Sequence, residues 1–182
     1  KSPTARALLY RALGKNKSPQ VAALLSEKLL KDPHLGGRIE AANALKGQPV
    51  TPALLDAVKK SIASESNRAL IVAALSTAAR FGKQAAPIAE AVESLVNGHA
   101  STWVRSVSLK GLSQIAPERA RLYAIEWVKD LLHPVYSSAI ASHFIFGTPE
   151  EFEKTALILP EATASVAVEA LEEMAGMTEE KF

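Results

Sequence analysis

Histidine side chains are the first candidates for chemistry in this chain, because imidazole binds metals and transfers protons near neutral pH. The chain has no cysteine and four histidines, at His34, His99, His133 and His143. The first three fall in predicted turns of separate helix pairs, about 10 Å apart at ordinary helix-packing distances, which is too far for ligands of one ion. The spacing therefore predicts histidines in turns or partly buried positions, with no metal site and no bound cofactor.

The acidic residues form no convergent catalytic pair. Glu150-Glu151, Glu172-Glu173 and Glu179-Glu180 are adjacent pairs, and neighbours on a helix diverge by about 100°. Glu90 and Glu93 lie one helical turn apart and could accept a cation, but they are a single pair. The sequence also lacks a phosphate loop, a dinucleotide fingerprint, a nucleophile elbow and a paired-histidine zinc motif. We therefore expect no catalytic residue within this chain.

Aromatic residues interleaved with basic ones would point to nucleic acid. Trp103 lies two residues before Arg105, and Trp127 lies in an apolar segment with helical spacing. No acidic residue accompanies Trp103, and the helices that carry the arginines are only mildly basic. The pattern does not favour a nucleic-acid partner.

A repeated helical frame positions these residues. Arg105 is followed by apolar Leu109 and Leu112 at the fourth and seventh positions, which makes one stripe of a helix. The same frame recurs at Arg6, Arg38, Arg68, Ser137 and Ala164. Successive frames are 27 to 37 residues apart, the size of a two-helix unit.

Prolines mark the predicted starts of the partner helices, because proline is tolerated in a first helical turn. They are Pro19, Pro52, Pro87, Pro117 and Pro149. Ser18, Thr51 and Thr148 precede three of them and are suited to cap a helix. Glycines suited to a left-handed helix stop are Gly14, Gly47, Gly82 and Gly147.

Composition agrees with a helical repeat protein. The 182 residues are 48% hydrophobic but only 5% aromatic, which favours closely packed helices with small aliphatic cores. No apolar run approaches the roughly 20 residues that span a bilayer. We predict a single all-α domain, a right-handed α-α superhelix (an α-solenoid) of antiparallel helix pairs. Its predicted segments are 4–14, 19–46, 52–81, 87–115, 117–146 and 149–175, and the expected core leucines and phenylalanine are Leu13, Leu45, Leu75, Leu112, Phe144 and Leu171.

The segment Leu29–Leu45 (LLKDPHLGGRIEAANAL) resembles a HEAT repeat, with a Leu-rich first helix, an Asp-Pro turn and an Arg-led second helix. The resemblance implies that the Pro-led helices are outer and that the Arg-led helices line a concave side. The first Arg-led helix lacks a Pro-led partner, so we expect a fragment of a longer array. Some HEAT-like enzymes bind iron through repeated His-Glu pairs, but no histidine here precedes a glutamate.

The predicted function is a non-catalytic scaffold that presents a concave surface to a protein partner or to the rest of its own polypeptide. An alternative is an accessory helical domain of a larger enzyme, such as a metallopeptidase, whose catalytic residues lie elsewhere. A third is a HEAT-like DNA glycosylase, which the resemblance would associate with aromatic and acidic residues on a basic face.

Two sets of repeat positions are candidates for packing and for binding. The repeat arginines Arg6, Arg38, Arg68 and Arg105 are expected to make contacts between repeats. The position five residues after each frame start is expected to form a solvated binding row, namely Arg11, Asn43, Ala73, Lys110, Ser142 and Glu169.

Charge varies along the chain. Residues 1–148 hold 19 Lys or Arg and 10 Asp or Glu, a net +9, whereas residues 149–182 hold 2 and 9, a net −7. We expect a partner to place its acidic portion toward the N-terminal end.

Overall fold

The computed structural model describes residues 2–127 together with Ala139 and Val168. Every regular element in that part of the chain is helical, which confirms the all-α prediction. The helices are α1 (Pro3–Leu13), α2 (Pro19–Lys31), α3 (Leu35–Leu45), α4 (Pro52–Ser64), α5 (Arg68–Phe81), a 3₁₀ helix (Gly82–Ile88), α6 (Ala89–Gly98), α7 (Thr102–Ile115) and α8 (Pro117–Trp127).

Side-chain caps and prolines start the helices where the sequence predicts them. The Ser18 hydroxyl accepts a hydrogen bond from the Val21 amide at 3.3 Å, and the Thr51 hydroxyl accepts one from the Leu54 amide at 3.2 Å. Pro87 lies near the start of α6, as predicted, but it belongs to the 3₁₀ helix and α6 begins two residues later, at Ala89. Alanine precedes Pro87, so no hydroxyl is available there to cap a helix.

The predicted left-handed glycine stops are wrong for Gly14 and Gly47. Among the residues described, Gly82 is the one with a positive φ, at 55°, whereas Gly14 has a right-handed φ of −59°. Gly14 instead permits a close approach between α1 and α3. A Cβ at Gly14 would lie 2.9 Å from the Cβ of Ala44, which is too close for two carbon atoms. Gly147 lies outside the described residues.

The helices pack as two layers. We call α1, α3, α5 and α7 the odd layer, because each of these helices contacts the next one in the series. We call α2, α4, α6 and α8 the even layer. In it α2 contacts α4 and α4 contacts α6, and side-chain bonds join α6 to α8. Each even helix from α2 to α6 also packs against the odd helix that follows it in the chain.

The buried core lies between these layers. Leu45, Leu75 and Leu112 are fully buried, as predicted, whereas Leu13 is only partly buried against the core. Leu13 differs because α1 has one neighbour in its layer, α3, while α3 and α5 are flanked on two sides. Phe144 and Leu171 lie outside the described residues.

No helix in the described part of the chain is both long enough and apolar enough to cross a bilayer.

Candidate interaction surface

The turns between even and odd helices share a hydrogen bond that joins the end of one helix to the start of the next. In each turn the residue that caps the C-terminus of the even helix accepts a bond from the backbone amide two residues later. The three acceptor atoms and their donors are Asp32 Oδ1 from His34 at 2.9 Å, Glu65 Oε1 from Asn67 at 2.8 Å and His99 Nδ1 from Ser101 at 2.9 Å. The donor residue is in each case the N-cap of the next odd helix, so one side chain ends one helix and orients the next.

Where this acceptor is a carboxylate, the arginine of the preceding odd helix acts on it, by an ion pair at Glu65 and by its charge at Asp32. Arg38 Nη1 lies 2.6 Å from Glu65 Oε2, and both side chains are largely buried. The positive charge of Arg6 similarly acts on Asp32. His99 supplies no carboxylate, and Arg68 is exposed without an ion pair in the described part of the chain. The predicted arginine contacts therefore depend on the residue type at the next C-cap.

Arg105 makes a different set of contacts. Its Nε donates a hydrogen bond to the Val96 carbonyl at 2.9 Å. Its guanidinium carbon lies 5.2 Å from the ring centre of Trp127, a cation–π geometry. Trp127 also packs against Tyr123, with ring centres 5.4 Å apart. Of the two tryptophans, Trp127 is thus held in packing, and Trp103 is 53% exposed.

Asp32 is a buried C-cap acceptor that binds a second side chain from α1. The Tyr10 hydroxyl donates a hydrogen bond to Asp32 Oδ2 at 2.6 Å. Burial acts to raise the pKa of Asp32, but the bonds from Tyr10 and the His34 amide, with the charge of Arg6, place that pKa below its usual value. Burial, followed by the bond to Asp32, raises the pKa of Tyr10 to about 12.

The predicted binding row is only partly a row. Arg11 and Asn43 are exposed and Lys110 is half-buried, but Ala73 is 7% exposed and belongs to the core. The expectation of a solvated position at Ala73 is wrong, because α5 packs between α3 and α7. Ser142 and Glu169 lie outside the described residues. The row positions on α1 and α3 face one groove, and Lys110 faces another.

The first groove lies between α1 and α3 and has a volume of about 380 Å³. Arg11 and Lys15 line it, together with Glu40. Arg11 Nη2 lies 2.8 Å from Glu40 Oε1, so an internal carboxylate already neutralises one of the two cations. Asn43 adds a neutral polar group beside them.

The second groove lies where the end of α3 meets α5 and α7, and its volume is about 370 Å³. Lys46, Arg80 and Lys110 line it, and none of its lining residues is acidic. None of these three cations has an ion pair with a described residue. We call this the cationic groove.

Charge is divided between the two layers. Within their helix bounds the odd helices carry seven Arg or Lys and one acidic residue, which is Glu40. The even helices carry six basic and six acidic residues. Several even-layer charges are paired, including Lys60 with Asp56 at 2.7 Å and Arg119 with Glu93 at 2.9 Å. The odd layer is therefore basic, and the even layer is electrically balanced.

The cationic groove was not predicted from the sequence, because that reasoning followed a single repeat position. Its cations stand at different places in the frame, eight residues after Arg38 for Lys46, twelve after Arg68 for Arg80 and five after Arg105 for Lys110. The available signal was the near absence of acidic residues from the Arg-led helices.

The described residues contain no group of three His, Asp or Glu side chains that could hold a metal ion. The Glu90 and Glu93 pair does not act as a cation site, because Glu93 is bound by Arg119 at 2.9 Å and by the Tyr123 hydroxyl at 2.8 Å.

The class that the fold defines is an all-α protein of packed helix pairs. The chain matches no protein-family model, and no curated protein matches it at a significant level of similarity.

Proposed function

We propose that this chain is a HEAT-like, non-catalytic interaction module that binds a protein partner through its odd layer. The observation that carries the proposal is the division of charge, with seven basic residues and one acidic residue on the odd helices, and only Arg11 and Arg38 of the seven in ion pairs with described residues. An unbalanced charged surface attracts a partner of opposite sign and orients it on approach. The even layer has no comparable imbalance to offer.

Binding of this kind needs no reactive residue. Stacked helix pairs provide an extended surface whose shape is set by the repeat, and the chemistry of recognition is distributed over several helices. The two grooves of the odd layer divide that surface into an internally neutralised part at α1 and α3 and an unneutralised part at α3, α5 and α7. The unneutralised part is the stronger candidate for contact with a partner.

A second candidate, an accessory domain packed within a larger enzyme, is favoured by the apolar surface of α1. Leu8 and Leu9 are 57% and 49% exposed, whereas the equivalent positions of α5, Leu70 and Ile71, are buried. A contiguous apolar stripe of this kind is typical of a surface covered by protein. The exposed stripe of α1 consists of Ala5, Leu8, Leu9 and Ala12.

Charge reversal on each layer tests the main proposal. The odd-layer variant is Arg80→Glu with Lys110→Glu, and the matched even-layer control is Lys59→Glu with Lys60→Glu, which changes the net charge equally. Each full chain is immobilised, and proteins retained from a cell extract are quantified by mass spectrometry at low and high salt. We expect proteins retained by the wild type to be lost from the odd-layer variant and kept by the control.

Equal retention by both variants would contradict the odd layer as the binding surface. A Leu8→Ser, Leu9→Ser variant tests the second candidate in the same experiment. Loss of retained proteins from that variant alone would favour the apolar stripe of α1 as the contact surface.

A further inference from the structure

We propose that the cationic groove binds an extended peptide segment rich in Glu and Asp, with the side chains of Lys46, Arg80 and Lys110 receiving its carboxylates. This inference rests on the proposed function, because it names the chemistry of the partner that the odd layer binds. It is carried by three cations that line one depression of defined volume and make no ion pair with any residue in the described part of the chain.

Two neighbouring grooves of the odd layer differ in the charge of the residues that line them. In the groove between α1 and α3, Glu40 supplies a carboxylate 2.8 Å from Arg11. In the cationic groove none of the described residues that line it carries a carboxylate. A carboxylate from a ligand would pair with the cations of the cationic groove, as Glu40 pairs with Arg11 in the groove between α1 and α3.

Two of the three cations in the cationic groove are partly buried. Lys46 and Lys110 are half-buried, and burial alone lowers the pKa of Lys46. A partly buried ammonium group without an anion is less stable than a paired one, because desolvation disfavours the charged form. A bound carboxylate would offset that cost. An anion should therefore stabilise these partly buried lysines more than it would stabilise a fully exposed lysine.

The other residues that line the cationic groove include both polar and apolar side chains. Ser76 and Gln114 are hydrogen-bonding side chains that line it without a side-chain hydrogen bond in the described part of the chain. Ala79 and Val107 add apolar surface beside them. A groove with cations, amide and hydroxyl groups and aliphatic patches is matched by a peptide, whose backbone is polar and whose side chains alternate.

The residues that line the cationic groove fit a peptide better than nucleic acid. None of the groove-lining residues is aromatic, whereas single-stranded nucleic acid is usually held by bases stacked on aromatic side chains. Lys46 directly follows α3, and Arg80 lies in the last turn of α5. Helix C-termini present carbonyl groups and not the amides that bind anions at helix N-termini, and this holds for carboxylate and phosphate alike. Anion binding here therefore depends on the three side-chain cations.

The test is a fluorescence-anisotropy titration of the full chain with two labelled peptides of about ten residues. One alternates Glu or Asp with Leu and Ser, and the other replaces each acid with Gln or Asn. The variants are Arg80→Glu with Lys110→Glu, the milder Arg80→Gln in case the double variant fails to fold, and the even-layer control Lys59→Glu with Lys60→Glu. Circular dichroism checks that each variant keeps its helical content.

We expect the acidic peptide to bind and the neutral peptide to bind at least about tenfold more weakly, a difference of about 1.4 kcal/mol. The double groove variant should weaken the acidic peptide at least about tenfold and reduce its salt dependence, because fewer charges meet. Arg80→Gln should weaken it by about threefold to tenfold, and the even-layer control should remain within about twofold of the wild type.

Equal binding of the two peptides, or equal losses in the groove and control variants, would overturn the proposal. A short DNA duplex or single strand that binds the groove more tightly than the acidic peptide would also overturn it and favour nucleic acid. If the peptide fails while the odd-layer variant still loses its captured proteins, the proposed function stands and the acidic-peptide inference does not. If the captured proteins are kept as well, both fail.

Discussion

At the scale of single residues, equivalent positions in successive repeats do different work because their neighbours differ. Arg38 reaches a carboxylate at the next even-helix C-cap, whereas the next even-helix C-cap after Arg68 is His99 and Arg68 makes no ion pair with a described residue. A repeat position therefore predicts where an arginine lies, and the residue at the adjoining turn decides whether it stabilises the fold. This dependence can be measured with matched variants.

Removal of the arginine should destabilise the protein only where the carboxylate is present. We expect Arg38→Met to lower the free energy of unfolding by about 1–3 kcal/mol, because Glu65 would lose its charged partner in a largely buried site. Arg68→Met, at the same repeat position but exposed, should stay within about 0.5 kcal/mol of the wild type. Urea unfolding followed by circular dichroism measures both, and equal losses would contradict the turn-dependent role.

The Tyr10 and Asp32 pair predicts a pH-dependent effect. Tyr10→Phe should cost about 1–2 kcal/mol at pH 7, because Asp32 loses a hydrogen bond in a buried place. The pKa of Asp32 is lowered in the folded protein, so the stability it contributes is present above its unfolded pKa of about 3.9 and is lost as pH falls through the lower folded value.

The difference in unfolding free energy between wild type and Tyr10→Phe should therefore narrow as the pH falls below about 4. Urea unfolding at a series of pH values measures it. A difference that is constant from pH 7 to pH 3 would show that the bond to the ionised carboxylate is not the source of the effect.

At the scale of helices, the sites of close approach decide which small residues are required. Gly36 and Gly37 are adjacent in the first turn of α3, but their surroundings differ. A Cβ at Gly37 would lie 2.7 Å from the carboxylate of Asp32, whereas a Cβ at Gly36 would meet nothing within 4 Å. The two glycines are thus a natural matched pair.

Alanine at these two positions should act in opposite directions. Gly37→Ala should lower the free energy of unfolding by about 1–3 kcal/mol, because the Asp32 turn must shift to accept the added carbon. Gly36→Ala should raise it by up to about 1 kcal/mol, because alanine loses less backbone entropy in a helix. Thermal unfolding of both variants tests this, and a loss of similar size in both would remove Asp32 from the explanation.

Local features of this fold were predictable from the sequence, and features that depend on packing were not. The caps at Ser18 and Thr51 use bonds within four residues, so their spacing alone predicts the helix starts. Burial of Ala73 depends on how α5 is flanked by its neighbours, which a repeat position does not specify. The C-cap acceptors were not predicted because three different residue types, Asp, Glu and His, accept the same hydrogen bond, so no single residue type marks the position.

At the scale of the whole molecule, the charge that varies along the sequence is also divided across the fold. The sequence predicts a basic body and an acidic end, and a partner oriented along the array. Alternation of helices between two layers collects the unbalanced basic residues on the odd helices. Arg11 is paired with Glu40, whereas Lys46, Arg80 and Lys110 line one groove and make no ion pair with a described residue.

The most direct test of odd-layer binding is to map the contact residue by residue. Amide chemical-shift changes are recorded by NMR on the isotope-labelled full chain during titration with the acidic peptide. The largest changes should fall in the C-terminal halves of α5 and α7 and around Lys46, and they should diminish at high salt. Changes confined to α2, α4 and α6 would contradict binding through the odd layer, and a spectrum that the peptide leaves unaltered would contradict binding of an acidic peptide in the cationic groove.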